Sequence, residues 1–238
     1  MKKYISLFAL WTRQCVYKFF LLLLVMAAAE TGLFYFQILS GKTLEQALEY
    51  GRLGLAFGAA FLLLCALLCA TGCQGSGKLG YTLGRLRVSR RAEFLCHWLH
   101  NSVYFFLLWF AQTGIMLGLC QFYRYASGVD YGPQAVLLAS YRVDLFHSLL
   151  PLADWGVYVC NCLMALALGA ATAHFSAMER DGRRAVAVAI LAPVTAASFK
   201  RAMGSSGSAV MGTFSVGMMA WCAVKGMGLL KEDNDETA

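Results

Sequence analysis

The stretch Phe61–Leu79, FLLLCALLCATGCQGSGKL, decides the fold. Within it, Gly72, four residues, then Gly77-Lys78 match the spacing of a phosphate-cradling loop, which would make the chain a nucleotide-hydrolysing α/β protein. Its neighbours exclude that reading. In such a loop the lysine is followed by a serine or threonine whose hydroxyl binds magnesium, and here Leu79 follows. A buried strand should precede it. Instead there is FLLLCALLCA, inside a run without Asp, Glu, Lys or Arg from Leu53 to Gly77, long enough for a helix that crosses hydrocarbon. No later aspartate closes a strand to help hold the metal. The glycines read as the end of a membrane helix, where glycine is the favoured residue. Lys78 opens a positively charged segment beyond it.

The rest of the chain repeats this pattern. Of its 238 residues, 59% are apolar and 14% charged, against about 45–50% and about 25% in soluble domains. Further charge-free runs cover Phe19–Ala29, Phe94–Tyr123, Trp155–Met178, Ala185–Phe199 and Ala202–Val224. A span needs about 20 mostly apolar residues, so the first run needs Glu30 inside it and the fifth is short. The fold class expected is all-α: a polytopic integral membrane protein of about six transmembrane helices preceded by an amphipathic interface helix. The interface helix is 1–15, with Tyr4, Phe8, Trp11 and Cys15 on one face and Lys2, Ser6 and Arg13 on another. The transmembrane domain is 16–230, with spans at about 16–39, 52–74, 95–122, 154–175, 185–199 and 207–224, a re-entrant hairpin over 185–222 being the alternative for the last two. An acidic tail, 231–238, follows. Lys2 and Lys3 lead into the amphipathic stretch, and no cleavable signal peptide is expected.

With the N-terminus inside, fourteen of the 20 basic residues fall on the cytoplasmic side, as the positive-inside rule requires. This predicts a multi-pass protein of the cell membrane with both termini cytoplasmic. The net charge of +7 then reads as topology and attraction to membrane lipid, with no nucleic-acid partner. Among the polar candidates, Glu30 stands out, because intramembrane carboxylates usually face a bundle interior or cavity. It is either functional, an oligomer contact or a hydrogen-bonded structural group. His97 and His100 lack the carboxylates or cysteines of a metal site, and His147 and His174 read as isolated. Cys65, Cys69 and Cys73 share a helical face and read as packing residues. No metal, cofactor or catalytic set is expected, and Gly204–Ser208, GSSGS, reads as a turn without a nucleophile's surroundings.

The inner segment KLGYTLGRLRVSRRAEFL, Lys78–Leu95, carries the one family resemblance. Leu79, Leu83 and Leu86 fall on one side with Arg85, Arg87, Arg90 and Arg91 around the rest, and Ser89 is placed to cap the next helix with Glu93 in its first turn. Tyr81-Thr82-Leu83, Arg85-Leu86 and Val88-Ser89-Arg90-Arg91 before a new span resemble the first inner loop of ABC-2 type transporter permeases, over roughly residues 1–122. The pattern departs from the family at Arg87, often proline there, and at Trp98, often lysine. The resemblance implies a permease subunit without a nucleotide site of its own, moving and usually exporting a substrate with energy from a separate ATP-binding cassette ATPase. It also implies a second permease copy or a similar permease. Contact with the ATPase would fall on Leu83, Arg85, Leu86, Arg87, Arg90 and Arg91 in the first inner loop. Glu179, Arg180, Asp181, Arg183 and Arg184 would serve in the second. The competing readings are a membrane accessory or immunity protein that binds a peptide or lipid and transports nothing, and, more remotely, an intramembrane enzyme.

Overall fold

The computed structural model describes residues 2–73, 89–127, 133–152, 154–199 and 204–228, and among these all regular structure is helical. In chain order the helices are α1 (Lys2–Leu39), α2 (Leu44–Tyr50), α3 (Leu53–Cys73), α4 (Arg90–Ser127), α5 (Pro133–Arg142), α6 (Asp144–Leu149), α7 (Trp155–Arg180), α8 (Ala187–Ser198) and α9 (Ser205–Gly226). Five of them, α1, α3, α4, α7 and α9, are long and apolar enough to cross a membrane. The protein is a multi-pass membrane bundle. The acidic tail 231–238 and the loop bearing Leu83, Arg85, Leu86 and Arg87 lie outside the described residues.

At two places the helices differ from the bounds expected. Within the stretch 185–199 the helix is shorter than a span, which leaves both the fifth span and the re-entrant hairpin as readings of 185–222. Helix α8 has 12 residues, about 18 Å at 1.5 Å per residue, against roughly 30 Å of hydrocarbon. Pro193 lies inside it and withholds one backbone donor. Nor is there a break between an interface helix and a first span, because α1 is continuous from Lys2 to Leu39. Leu7, Trp11 and Cys15 form a stripe of spacing four that is at most 3% exposed, so this face is buried in protein, where Trp11 stacks on His97 of α4 at 4.6 Å.

Helix α7 is the centre of the bundle: 67% of its most apolar window is buried, against 22% for α1 and for α9. Its sequence explains this. Ala165, Ala167, Gly169, Ala170, Ala171, Ala173 and Ala177 have little side chain to hold neighbours away, and in lipid such small-residue contact is what draws helices together. A methyl group built on Gly169 would stand 2.1 Å from Ser102 Oγ and 2.8 Å from the Ser102 nitrogen of α4. One built on Gly72 of α3 would stand 2.5 Å from Ser176 Cβ of α7. Trp98 donates its indole N–H to the Leu166 carbonyl of α7 at 2.8 Å. Helix α9 lies along α7, with Ser208 beside Gly156 at one end, and at its other end Gly226 meets the Phe94 ring of α4. Since Trp11 meets His97 and Gly226 meets Phe94, residues near both ends of the described chain sit at one end of the bundle.

The opposite end is tied by Tyr123, whose hydroxyl donates to the Lys42 carbonyl at 2.9 Å, and by an Arg142–Glu45 ion pair at 3.0 Å. From there α6 turns inward, burying Leu145, Phe146 and Leu149, and its carboxyl end meets the carboxyl end of α8. Each of these truncated helices leaves orphan carbonyls, and side chains cap them. Ser148 Oγ donates to the Phe199 carbonyl at 2.7 Å, Asn161 Nδ2 to the Ser148 carbonyl at 2.8 Å, and Trp109 Nε1 to the Leu149 carbonyl at 2.9 Å. The short α8 thus ends on a hydrogen-bonded junction. The segment 204–208, read as a turn, supplies the cap and first turn of α9.

Replacing Gly169 by alanine forces α4 and α7 apart and lowers stability by about 1–3 kcal/mol, the range for overpacking. Gly217→Ala on the exposed face of α9, where the added methyl meets nothing within 4 Å, raises it by about 0.5–1 kcal/mol through helix propensity. Thermal unfolding of the two variants in mild detergent should therefore shift in opposite directions.

Candidate functional site

The end of the bundle where Trp11 and Gly226 lie also gathers the described charged residues at the start of α4 and the end of α7. Ser89 caps α4, its hydroxyl accepting from the Ala92 N–H at 3.4 Å, and Glu93 follows in the first turn where the helix dipole favours a carboxylate. At the end of α7, Arg180 and Asp181 fall where the chain turns through Gly182, whose φ of +71° suits glycine. These termini lie side by side. Arg90 pairs with Asp181, and Arg180 pairs with Glu93, so two crossed ion pairs clamp the start of α4 to the end of α7. Arg91, Glu179, Arg183 and Arg184 are exposed around the clamp. Of the residues the family resemblance names, the structure brings Arg90 and Asp181 into direct contact, while Arg180 pairs with Glu93. Glu93 was read only as a first-turn carboxylate.

Beside the clamp, a groove of about 980 Å³ opens between the end of α7, the start of α8 and the end of α9. Arg183, Arg184 and Lys225 line it together with the Arg90–Asp181 pair, and Val186, Ile190, Met218 and Trp221 form its apolar wall. His174 stands in its inner wall, 6% exposed, with its Nδ1 unpartnered. A smaller cleft of about 290 Å³ shares Arg90 and Asp181 with the groove and reaches His97. The ion pair is thus a partition between the two spaces.

His97 and His100 belong to an aromatic stack more than to a ligand set. Trp11 lies on His97 at 4.6 Å and 28°, Phe8 meets His100 edge-on at 5.1 Å, and Tyr104 packs on His100 at 4.9 Å. Asn101 links the stack to α7, donating to Thr172 Oγ1 at 2.9 Å while its Oδ1 faces His100 Nδ1 at 3.2 Å. Among the described residues, no three His, Cys, Asp or Glu side chains converge as metal ligands would. Cys65 and Cys69 are buried in the core, and Cys15 donates to Thr71 Oγ1 at 3.3 Å.

Comparison with protein-family models, with curated proteins and with solved structures finds no match to this chain.

Glu30 lies toward the other end of α1, fully buried, and accepts from Gln112 Nε2 of α4 at 2.9 Å. The second oxygen of Glu30 and the amide oxygen of Gln112 have no partner. Within one chain, then, this side chain bridges α1 to α4. Asp154 marks the start of α7, largely exposed and 4.0 Å from His147 Nε2. Missed by sequence reading were the roles of Gln112 and Asn161, and His174 read as isolated; the partners and surroundings of all three come from elsewhere in the chain.

Truncating Glu30 to alanine strands the Gln112 amide in an apolar contact and costs about 1–2 kcal/mol, the upper part of the range for interhelical hydrogen bonds in membranes. Glu30→Leu combined with Gln112→Leu removes both polar groups and recovers most of that loss. A double-mutant cycle of unfolding free energies checks the coupling; additive losses would mean the two side chains do not act as a pair.

Proposed function

We propose that the protein is the membrane-spanning permease subunit of an ABC-2-like transporter, working with a separate ATP-binding cassette ATPase and a second permease copy. The single observation that supports this most is the crossed clamp, Arg90–Asp181 and Arg180–Glu93. It joins the residues immediately after the first inner loop to those that begin the second. In this reading the ATPase pushes on one or both loops. Because α4 and α7 are fastened at this end, and touch backbone to side chain at Gly169 and Ser102, displacement of either loop reaches the two central helices together. Chemistry stays in the partner: Lys78 is followed by Leu79, which supplies no magnesium ligand. The inner loops need only apolar anchors, Leu83 and Leu86, and charged rims to dock. Export is the direction that the family resemblance implies, and the substrate class stays open.

Co-purification from native membranes in mild detergent, followed by mass spectrometry, tests the reading. A stoichiometric ATPase subunit should be present and should be lost on charge reversal at Arg85 and Arg87, with helix content unchanged. Reversal of Arg90 to glutamate should weaken permease-stimulated ATP hydrolysis, and Asp181→Arg in the same chain should restore it by re-forming the pair with opposite polarity. Exposed pairs contribute about 0–1 kcal/mol to stability, so the expected loss is one of coupling and not of folding. A homo-oligomer without ATPase, in a preparation where other transporters stay assembled, would overturn the proposal and favour a non-transporting accessory protein.

A further inference from the structure

We infer that Glu30 and Gln112, where α1 meets α4, form a proton-binding site in which Glu30 is held as the neutral acid, its hydroxyl donating to the Gln112 amide oxygen. The inference is independent of the ATPase reading. Hydrogen-bond arithmetic carries it. Both side chains are fully buried. Gln112 Nε2 donates to Glu30 Oε2 at 2.9 Å, while Glu30 Oε1 and Gln112 Oε1 are both left without a partner. An ionised carboxylate only accepts, so it cannot satisfy the amide oxygen, and a buried polar atom without a partner is costly. One proton on Glu30 Oε1 removes both orphans at once. Acid and amide then close a ring of two hydrogen bonds, the N–H donating to one oxygen and the O–H to the other. The terminal torsions of Glu and Gln are soft, so the two groups can turn into the common plane this ring needs. The one bond formed is O–H, from a solvent proton.

The surroundings supply nothing else that would satisfy a carboxylate. A buried charge needs an opposite charge beside it, and among the described residues Glu30 has no ion-pair partner. Helix α1 has no other charged side chain between Lys18 and its end, α3 has none, and α4 has none between His100 and Arg124. At the ends of these helices Arg52 and Arg124 are exposed, Lys42 stands over the Tyr50 ring at 4.8 Å, and Arg142 is paired with Glu45. Glu49 of α2 is exposed. The remaining titratable groups of α3 and α4 at these levels are thiols and phenols: Cys65, Cys69, Cys73, Tyr104, Cys120 and Tyr123. Such groups are ordinarily neutral near pH 7 and balance no charge. A hard metal ion takes six or more oxygens, and two orphans fall far short of that. The proton thus serves the contact as a ligand. Bound, it lets α1 and α4 meet through a neutral ring; released, it leaves a carboxylate and an amide oxygen with no donor between them.

Infrared spectroscopy of the full chain in mild detergent, in H2O and in D2O near neutral pH, tests this. A carboxylic-acid C=O stretch that moves down in D2O should be present in the unmodified protein. It should be absent from Glu30→Gln, in which a second amide closes the same ring without a proton. In Gln112→Leu the acid stretch should persist and move up, having lost its acceptor. The native state also holds one more proton than the unfolded chain above the ordinary carboxylate range, so its stability falls as pH rises. The unfolding equilibrium constant should therefore rise, relative to that of Glu30→Gln, by up to about tenfold per pH unit. Carboxylate bands lost in Glu30→Gln, with no acid stretch lost, would overturn the inference in favour of an ionised Glu30 bridged to Gln112 by water or a cation. Should Glu30→Gln not fold, Gln112→Leu decides, and an acid stretch unmoved by that substitution would overturn the inference equally.

Discussion

The whole bundle depends on how closely α4 and α3 can approach α7. Lipid tails are as apolar as leucine, so burying hydrocarbon side chains does not drive helices together within the membrane as it does in water. What remains is dispersion at short range and a few interhelical hydrogen bonds. The alanine-rich face of α7 makes the first possible. Gly169 against Ser102 and Gly72 against Ser176 bring helices to separations that a single added methyl would prevent. The hydrogen bonds then appear where polar side chains fall at those crossings: Asn101 to Thr172, and Trp98 to the Leu166 carbonyl.

On this scaffold the two ends of the bundle solve different electrostatic problems. One end concentrates charge and neutralises part of it internally through Arg90–Asp181 and Arg180–Glu93, leaving Arg183 and Arg184 exposed beside a groove. Toward the other end the difficulty is backbone, not charge. Helices α6 and α8 both stop inside the bundle, and an uncapped carbonyl in a low-dielectric interior costs several kcal/mol. Ser148, Asn161 and Trp109 each supply a donor there. The junction explains why an asparagine and an indole N–H sit in otherwise apolar helices.

Much of the architecture was legible because hydrocarbon imposes a length and excludes charge. The five long helices follow the charge-free runs, and the capping role of Ser89 followed from local spacing. The shortness of α8 was visible in the run of residues 185–199, but nothing local reveals that it ends on Ser148 from another helix. The continuity of α1 was hidden for a related reason. The period of Trp11 and Cys15 suits a lipid surface and a protein surface equally, and only His97 on α4 decides between them. The candidate site was half visible. Arg90, Arg180 and Asp181 could be named as loop charges, and Glu30 as an anomalous carboxylate. Their partners could not, since Glu93 is 87 residues from Arg180 and Gln112 is 82 from Glu30. His174 read as isolated because the rest of its groove comes from α8 and α9.

The composition of α7 has one more consequence, for entropy. Alanine and glycine have no rotamers to lose, whereas a long side chain forfeits up to about 2 kcal/mol of conformational freedom when packed. The centre of this bundle therefore assembles with little side-chain ordering, and the ordering that does occur falls on the surrounding helices. It follows that the small-residue face of α7 has little side-chain freedom with which to absorb a displacement, and the larger side chains packed around it must do most of the adjusting.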